Sequence, residues 1–222
     1  MFRLKIAMVV LGGMLAWFGI KEFRVSNGTT DEPVDVALAE VEAGTVPENN
    51  HWRLGEHVAL YNACVYEYEE ERGGGGDPGP GAKVNYCYYP VLSYDHPVMV
   101  QLAKLTQENG DIDNVPDAEL PSLEDFAVLV KSKKFKTVGA IPNDWGSVDS
   151  LQGLVINTIG SLGSEEAEMF RESFPGLDTD KLVILEEGRT PASGLKSGGM
   201  IGGGLLVAIA GGLWMLAGRS TG

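Results

Sequence analysis

The chain is poor in the side chains that most often carry chemistry: it has two cysteines and three histidines in 222 residues. Two cysteines exclude a disulfide-dense scaffold and a structural zinc site built on four thiolates. Basic residues are scarce as well. Seventeen Lys and Arg stand against 31 Asp and Glu, a net charge of −14. Phosphate binding needs clustered Lys and Arg, so no nucleic-acid partner is expected. Acidic residues are missing from both ends, since all of them lie between Glu22 and Glu187. The sequence lacks a Gly-x-Ser-x-Gly elbow, and Gly160-Ser-Leu-Gly163 falls one residue short of it. Gly73-Gly-Gly-Gly76 lacks the Lys-Ser/Thr ending of a phosphate loop and opens no helix. No internal repeat recurs at a fixed period.

The acid-free ends are strongly apolar. After Met1-Phe-Arg3-Leu-Lys5, the stretch from Ile6 to Ile20 carries no charge. A signal peptide's apolar region is ~7–15 residues and a comfortable span is about 20. No pair of small residues suited to cleavage comes after the run. The expectation is an uncleaved signal-anchor over residues 4–21. Residues 198–218 are also free of charge, between Lys196 and Arg219, with Trp214 near the far end as an interfacial aromatic. This predicts a second transmembrane helix. Two spans put both termini on one side. A basic start leading directly into an apolar run is the pattern that exports the downstream chain, so the large domain is expected outside the cytoplasm with both termini inside.

Small residues recur at helical spacing in these spans. Gly204, Ala208 and Gly212 share one face of the second, and Gly12 and Ala16 share one face of the first. Small side chains let helices approach closely in a bilayer. The expected contact joins the two spans, or two copies of the C-terminal span in a homo-oligomer.

Between linkers at 22–33 and 191–197, residues 34–190 read as an α+β domain. Asp35 to Gly44 suits a short helix. His57–Glu69 and Lys83–Leu92 are β-prone around a Gly/Pro loop and predict an antiparallel hairpin. Val98–Gly110 leans to helix, stopped by Gly110. Phe126–Lys131 and Phe135–Ile141 predict a second hairpin. Leu151–Ile159 and Leu182–Leu185 are further strands, with a helix from a Ser164 cap to Phe174 between them. About six strands and a few short helices give an α+β fold with a mainly antiparallel sheet.

Few residues in this domain suggest chemistry. Folding the first hairpin so that paired positions sum to 151 sets Cys64 against Cys87, a cross-strand disulfide in an oxidising compartment; two reduced core cysteines are the alternative. His51, His57 and His96 have neither helical i,i+4 spacing nor a Cys-x₂-Cys companion, so structural roles are the plainer reading of them. The acidic stretch from Asp111 has Val115, Pro116 and Ser122 where a calcium loop needs a ligand, Gly and Glu. Ser193-Gly-Leu-Lys196 matches Ser-x-x-Lys without its companion motifs. Lys131, Lys133, Lys134 and Lys136 form the one basic cluster, placed to touch anionic lipid head groups or an acidic partner.

These features predict a membrane-anchored, non-enzymatic protein without a cofactor. Its acidic domain would act as an interaction or scaffold module in the cell envelope. The competing expectation is a membrane-bound enzyme or a metal- or cofactor-assembly factor using His51, His57, His96 and the cysteines.

Overall fold

The structure is a computed structural model that describes residues 2–69, 78–123, 125–156, 164–177 and 181–217. In chain order its elements are α1 Phe2–Ser26, β1 Val34–Val36, α2 Leu38–Glu42, β2 His51–Leu54, β3 His57–Leu60, β4 Val65–Tyr68, β5 Val84–Leu92, α3 Pro97–Asn109, β6 Val128–Ser132, β7 Trp145–Val148, β8 Leu151–Val155, α4 Ser164–Ser173, β9 Val183–Glu187 and α5 Gly194–Ala217. They form two compact units. One is Met1–Asp31 with Thr190–Gly222, and the other is Glu32–Arg189.

The second unit is a mixed α+β domain. Its nine strands run in the order β1-β2-β8-β9-β6-β5-β3-β7, with β4 also paired to β5. The β1–β2 and β6–β9 pairs are parallel and the others antiparallel. The sheet is therefore mixed, which corrects the expectation of a mainly antiparallel one. Parallel neighbours need a crossover. Here α2 lies between β1 and β2, and the chain from β7 through α4 lies between β6 and β9.

Chain connectivity forces the sheet to curl. Strand β2 is second in the order and β3 is seventh, yet only Gly55 and Glu56 join them. Five flat strand spacings would measure about 24 Å. A link of two residues reaches about 11 Å. The two ends of the sheet must therefore come together. Inward side chains from across the order, including Val36, Trp52, Leu54, Ala59, Tyr89, Val130, Val155 and Leu185, accordingly make one buried cluster. Their neighbours in sequence, Val58, Tyr88, Leu129 and Ile184, face the other way and pack with Met99 of α3 and Phe170 of α4. Phe170 meets Tyr88 edge-on at 5.0 Å between ring centres.

The hairpin around the Gly/Pro loop differs from expectation in one instructive way. Strand β5 is a single long strand that pairs with both β3 and β4. A 3-10 turn, Tyr61–Ala63, separates these two partners. Ala59 pairs with Val91 above the turn, and Tyr66 pairs with Cys87 below it. One register cannot cover both halves, because the turn absorbs three residues. Residues 70–77, which include the tetraglycine, lie outside the described residues.

The second expected hairpin does not form. Strand β6 has β5 on one edge and β9 on the other, so no edge is left for Phe135–Ile141. That segment instead makes an isolated bridge from Thr137 to Lys83 and a 3-10 turn, Val138–Ala140. The segment read as a helix after Pro97 is α3. His96 caps it, Pro97 opens it, and Gly110 ends it at φ 81°. The expected strand 151–159 ends as β8 at Val155, with 157–159 outside the described residues. Residue 164 opens α4, and the side chain of Ser164, expected to cap it, lies outside what the structure describes.

Candidate functional site

The helical unit is an antiparallel pair, α1 against α5, held by close backbone approach. A Cβ added to Gly12 would stand 2.5 Å from the Ala208 nitrogen, and one added to Gly204 would stand 2.5 Å from the Ala16 nitrogen. Gly12, Ala16, Gly204 and Ala208 thus meet at one contact between the two spans of a single chain. Gly212 has open space around it. Its neighbour Gly211 faces Met8 and Val9 instead, and Gly19 lies against Ile201 and Met200. Within this chain the contact passes from Gly204 and Ala208 to Gly211 rather than to Gly212, because the contact face drifts around a straight helix.

The large side chains point away from this contact. Leu11 is 63% exposed, Leu206 71%, Leu213 62% and Leu216 64%. A hairpin folded by water would bury these residues and expose the small ones. Both helices are long and apolar enough to cross a membrane.

Each end of the pair carries a lysine near a tryptophan. Lys5 Nζ donates to the Trp214 carbonyl oxygen at 2.8 Å and lies 5.2 Å from the Trp214 ring centre. That carbonyl is in the last turn of α5, where acceptors lack helical partners and the dipole is negative. Lys21 Nζ lies 5.7 Å from the Trp17 ring centre. Ser193, read in the sequence as part of Ser-x-x-Lys, caps α5: its Oγ accepts from the Lys196 N–H at 3.3 Å.

In the α+β domain the three histidines take separate places. The His51 ring nitrogen Nε2 is 3.0 Å from Gln152 Nε2. His96 Nδ1 accepts from the Val98 N–H at 3.3 Å. His57 is fully buried, with Nδ1 2.7 Å from the Gly55 carbonyl oxygen and Nε2 without a partner among the described residues. Burial lowers the His57 pKa, against smaller opposing effects of Gly55 and Glu187. Among the described residues no three His, Cys, Asp or Glu gather as metal ligands.

Both cysteines are free thiols. Cys87 is opposite Tyr66, which corrects the register that set it against Cys64. Extending the ladder one residue past Val65–Tyr88 sets Cys64 opposite Tyr89, diagonal to Cys87. Diagonal neighbours are ~7–8 Å apart, while a disulfide needs ~3.5–4.5 Å between Cβ atoms. Burial, with Cys64 and Glu187 nearby, pushes the Cys87 thiol up to about 12. Burial also raises Cys64, Tyr61 and Tyr89.

The basic cluster is largely engaged within the domain. Lys131 Nζ stands 4.0 Å from the Tyr86 ring centre, Lys133 Nζ pairs with Glu186 Oε1 at 2.8 Å, and Lys136 Nζ donates to the Lys133 carbonyl oxygen at 2.8 Å. The Lys134 backbone N–H donates to Ser132 Oγ at 3.1 Å. Sequence reading missed the group around Glu186, which Arg189 completes with an NH1–Oε2 pair at 2.7 Å. It also missed Ser132 Oγ donating to Glu187 Oε2 at 2.5 Å. The available signal was Glu186-Glu187 itself. Consecutive strand residues face opposite ways, so two carboxylates in a row ending an apolar strand require partners on both faces.

No family model, curated protein or solved structure matches this chain.

Proposed function

We propose that the protein is anchored in a membrane by the α1–α5 pair and presents its acidic α+β domain as an interaction or scaffold module in the cell envelope, without enzymatic activity or a cofactor. The observation that carries this reading is the inverted helical pair, with small residues inside and large apolar residues outside. Lipid is the solvent that stabilises such a surface. Helix lengths of 25 and 24 residues give about 36–38 Å, enough for a hydrocarbon core of about 30 Å. The two Lys–Trp contacts suit the two interfaces, where such side chains keep a polar tip in water.

Charge divides in the same way. Residues 32–189 carry 11 basic and 29 acidic side chains, a net −18, while the rest of the chain is +4. A domain this acidic stays soluble beside anionic lipid, and its partners are proteins rather than nucleic acids. The basic start before an apolar run supports placing the domain outside the cytoplasm with both termini inside.

Two measurements test the reading. The chain is expected to remain with membranes after alkaline carbonate extraction. In sealed, inverted vesicles, added protease is expected to remove a terminal tag and spare the domain. Release by carbonate overturns the anchor; digestion of the domain in those vesicles overturns its sidedness.

A further inference from the structure

Two adjoining hollows lie on the surface of the acidic domain, of about 490 and 680 Å³, and both are lined by Glu42, Asp125, Phe126 and Ala127. Together they make a groove between α2, the start of α3 and the segments leading into β6 and β9. Its floor is apolar: Phe126 is 3% exposed, Val41 and Val98 line the two hollows, and Val46 stands exposed at the wall.

The carboxylates around this floor are of two kinds. Glu42 is fixed, because the Ser93 N–H donates to its Oε1 at 2.9 Å and the Ser93 Oγ donates to its Oε2 at 2.5 Å. Asp95 and Asp125 are exposed, and their side chains have no hydrogen-bond or ion-pair partner among the described residues. Among the described residues Lys181, in the second hollow, is the one lysine or arginine that lines the groove. In a domain of net −18, a concave site with fixed negative charge concentrates cations.

We propose that this groove binds a basic segment of a partner polypeptide, seating an apolar side chain over Phe126 and Val46 and cationic side chains at Glu42, Asp95 and Asp125. The proposal rests on reading the domain as an interaction module, and it names the partner's chemistry. An apolar floor across two hollows favours a polypeptide over a free polyamine, which has no side chain to bury there. Exposed rim carboxylates do not supply the six to eight converging oxygens that calcium takes. The domain's own lysine cluster is a poor occupant, since Lys131, Lys133 and Lys136 already have partners within it.

The test uses the full chain in a nonionic detergent. The probe is a fluorescein-labelled decapeptide of Gly and Ser with four lysines around one central leucine, monitored by fluorescence anisotropy. Asp95→Asn with Asp125→Asn is expected to weaken binding about tenfold, the effect of losing two partly screened ion pairs. Val46→Ser, which leaves charge unchanged, is expected to weaken it severalfold. Asp144→Asn with Asp149→Asn removes the same charge outside the groove and is expected to leave affinity unchanged. An equal loss in that control overturns the proposal, as does displacement of the probe by spermine at the concentration that unlabelled peptide needs. Absence of binding up to about 1 mM also overturns it. A partner isolated from native membranes whose capture survives both groove substitutions leaves the interaction module standing and overturns the groove alone.

Discussion

Gly12 and Gly204 face each other backbone to backbone, so that a Cβ on either would stand 2.6 Å from the other's carbonyl oxygen. Backbone cannot yield as a flexible side chain can. Gly204→Leu is therefore expected to separate α1 from α5, while Gly212→Leu, with open space around it, leaves them together. The measurement is oxidative crosslinking between Met8→Cys and Gly211→Cys in a chain carrying Cys64→Ser and Cys87→Ser. A Gly204→Leu chain that crosslinks as well as its parent would show that this contact does not hold the pair.

A second glycine, Gly153, sits between two strands. It pairs with Trp52 on one side and Glu187 on the other. An added Cβ would fall onto the Glu186 carbonyl oxygen and within 3.1 Å of the Leu185 side chain. Gly153→Ala is expected to destabilise the domain by about 3 kcal/mol, at the upper end of ordinary overpacking. Gly146→Ala on β7 would meet only the Tyr61 ring, at 3.5 Å, and is expected to be near neutral. Urea midpoints for the two variants should differ clearly; equal midpoints would contradict the tight β8–β9 packing.

Acid should weaken the domain through Glu186. Burial alone would raise the pKa of this carboxyl, but hydrogen bonds from Lys133 and Arg189 outweigh it and hold the group below its ordinary value. A lowered folded pKa adds stability that is present above the unfolded value and is lost as pH falls through the folded one. The urea midpoint is thus expected to fall from about pH 4.5 downward. Glu186→Gln should lower the midpoint at pH 7 and flatten that acid limb. An unchanged acid limb would remove Glu186 from the account.

Base should act through the thiols and phenols. Cys87, Cys64, Tyr61 and Tyr89 all have raised pKa values, with burial as the largest cause. Their stabilisation is complete below the unfolded values and is lost as pH rises through the folded ones. For Cys87 the window opens at about pH 8.5 and closes near 12. The urea midpoint should drop across it, and less so in Cys87→Val.

The same burial governs alkylation. At pH 8 the folded chain should leave Cys87 unmodified by iodoacetamide, because both access and thiolate are lacking. Denatured without reductant, it should yield two reactive thiols per chain. Failure to find them would show that the cysteines are bonded after all.

The ends of the chain were legible because a charge-free run needs no knowledge of its surroundings. The helix at Pro97–Asn109 was legible for a similar reason, since a capping residue, a proline and a terminal glycine act locally. The sheet was less so. Strands β1, β2 and β7 have three or four residues each, too few for alternation to stand out. Phe135–Ile141 has the composition of a strand, but both edges of its expected hairpin partner β6 are taken by β5 and β9. The Cys64–Cys87 register failed because Tyr61–Ala63 looks like more strand and is a turn. The partners of Glu186 and Glu187, Lys133 and Ser132, lie more than 50 positions away, too far for local pattern to reveal.

The curled sheet also sets a timetable for synthesis. Strand β2 is paired antiparallel with β8, and Leu54 meets Leu151, about a hundred residues later in the chain. At ~5–20 residues per second, the ribosome needs about 5–20 s to deliver that partner. For that interval β1 and β2 have emerged without the strand that completes them. The two-residue link at Gly55-Glu56 holds β3 beside them from the start, so the last seam of the barrel-like sheet waits on β8 and β9, the final strands to be made.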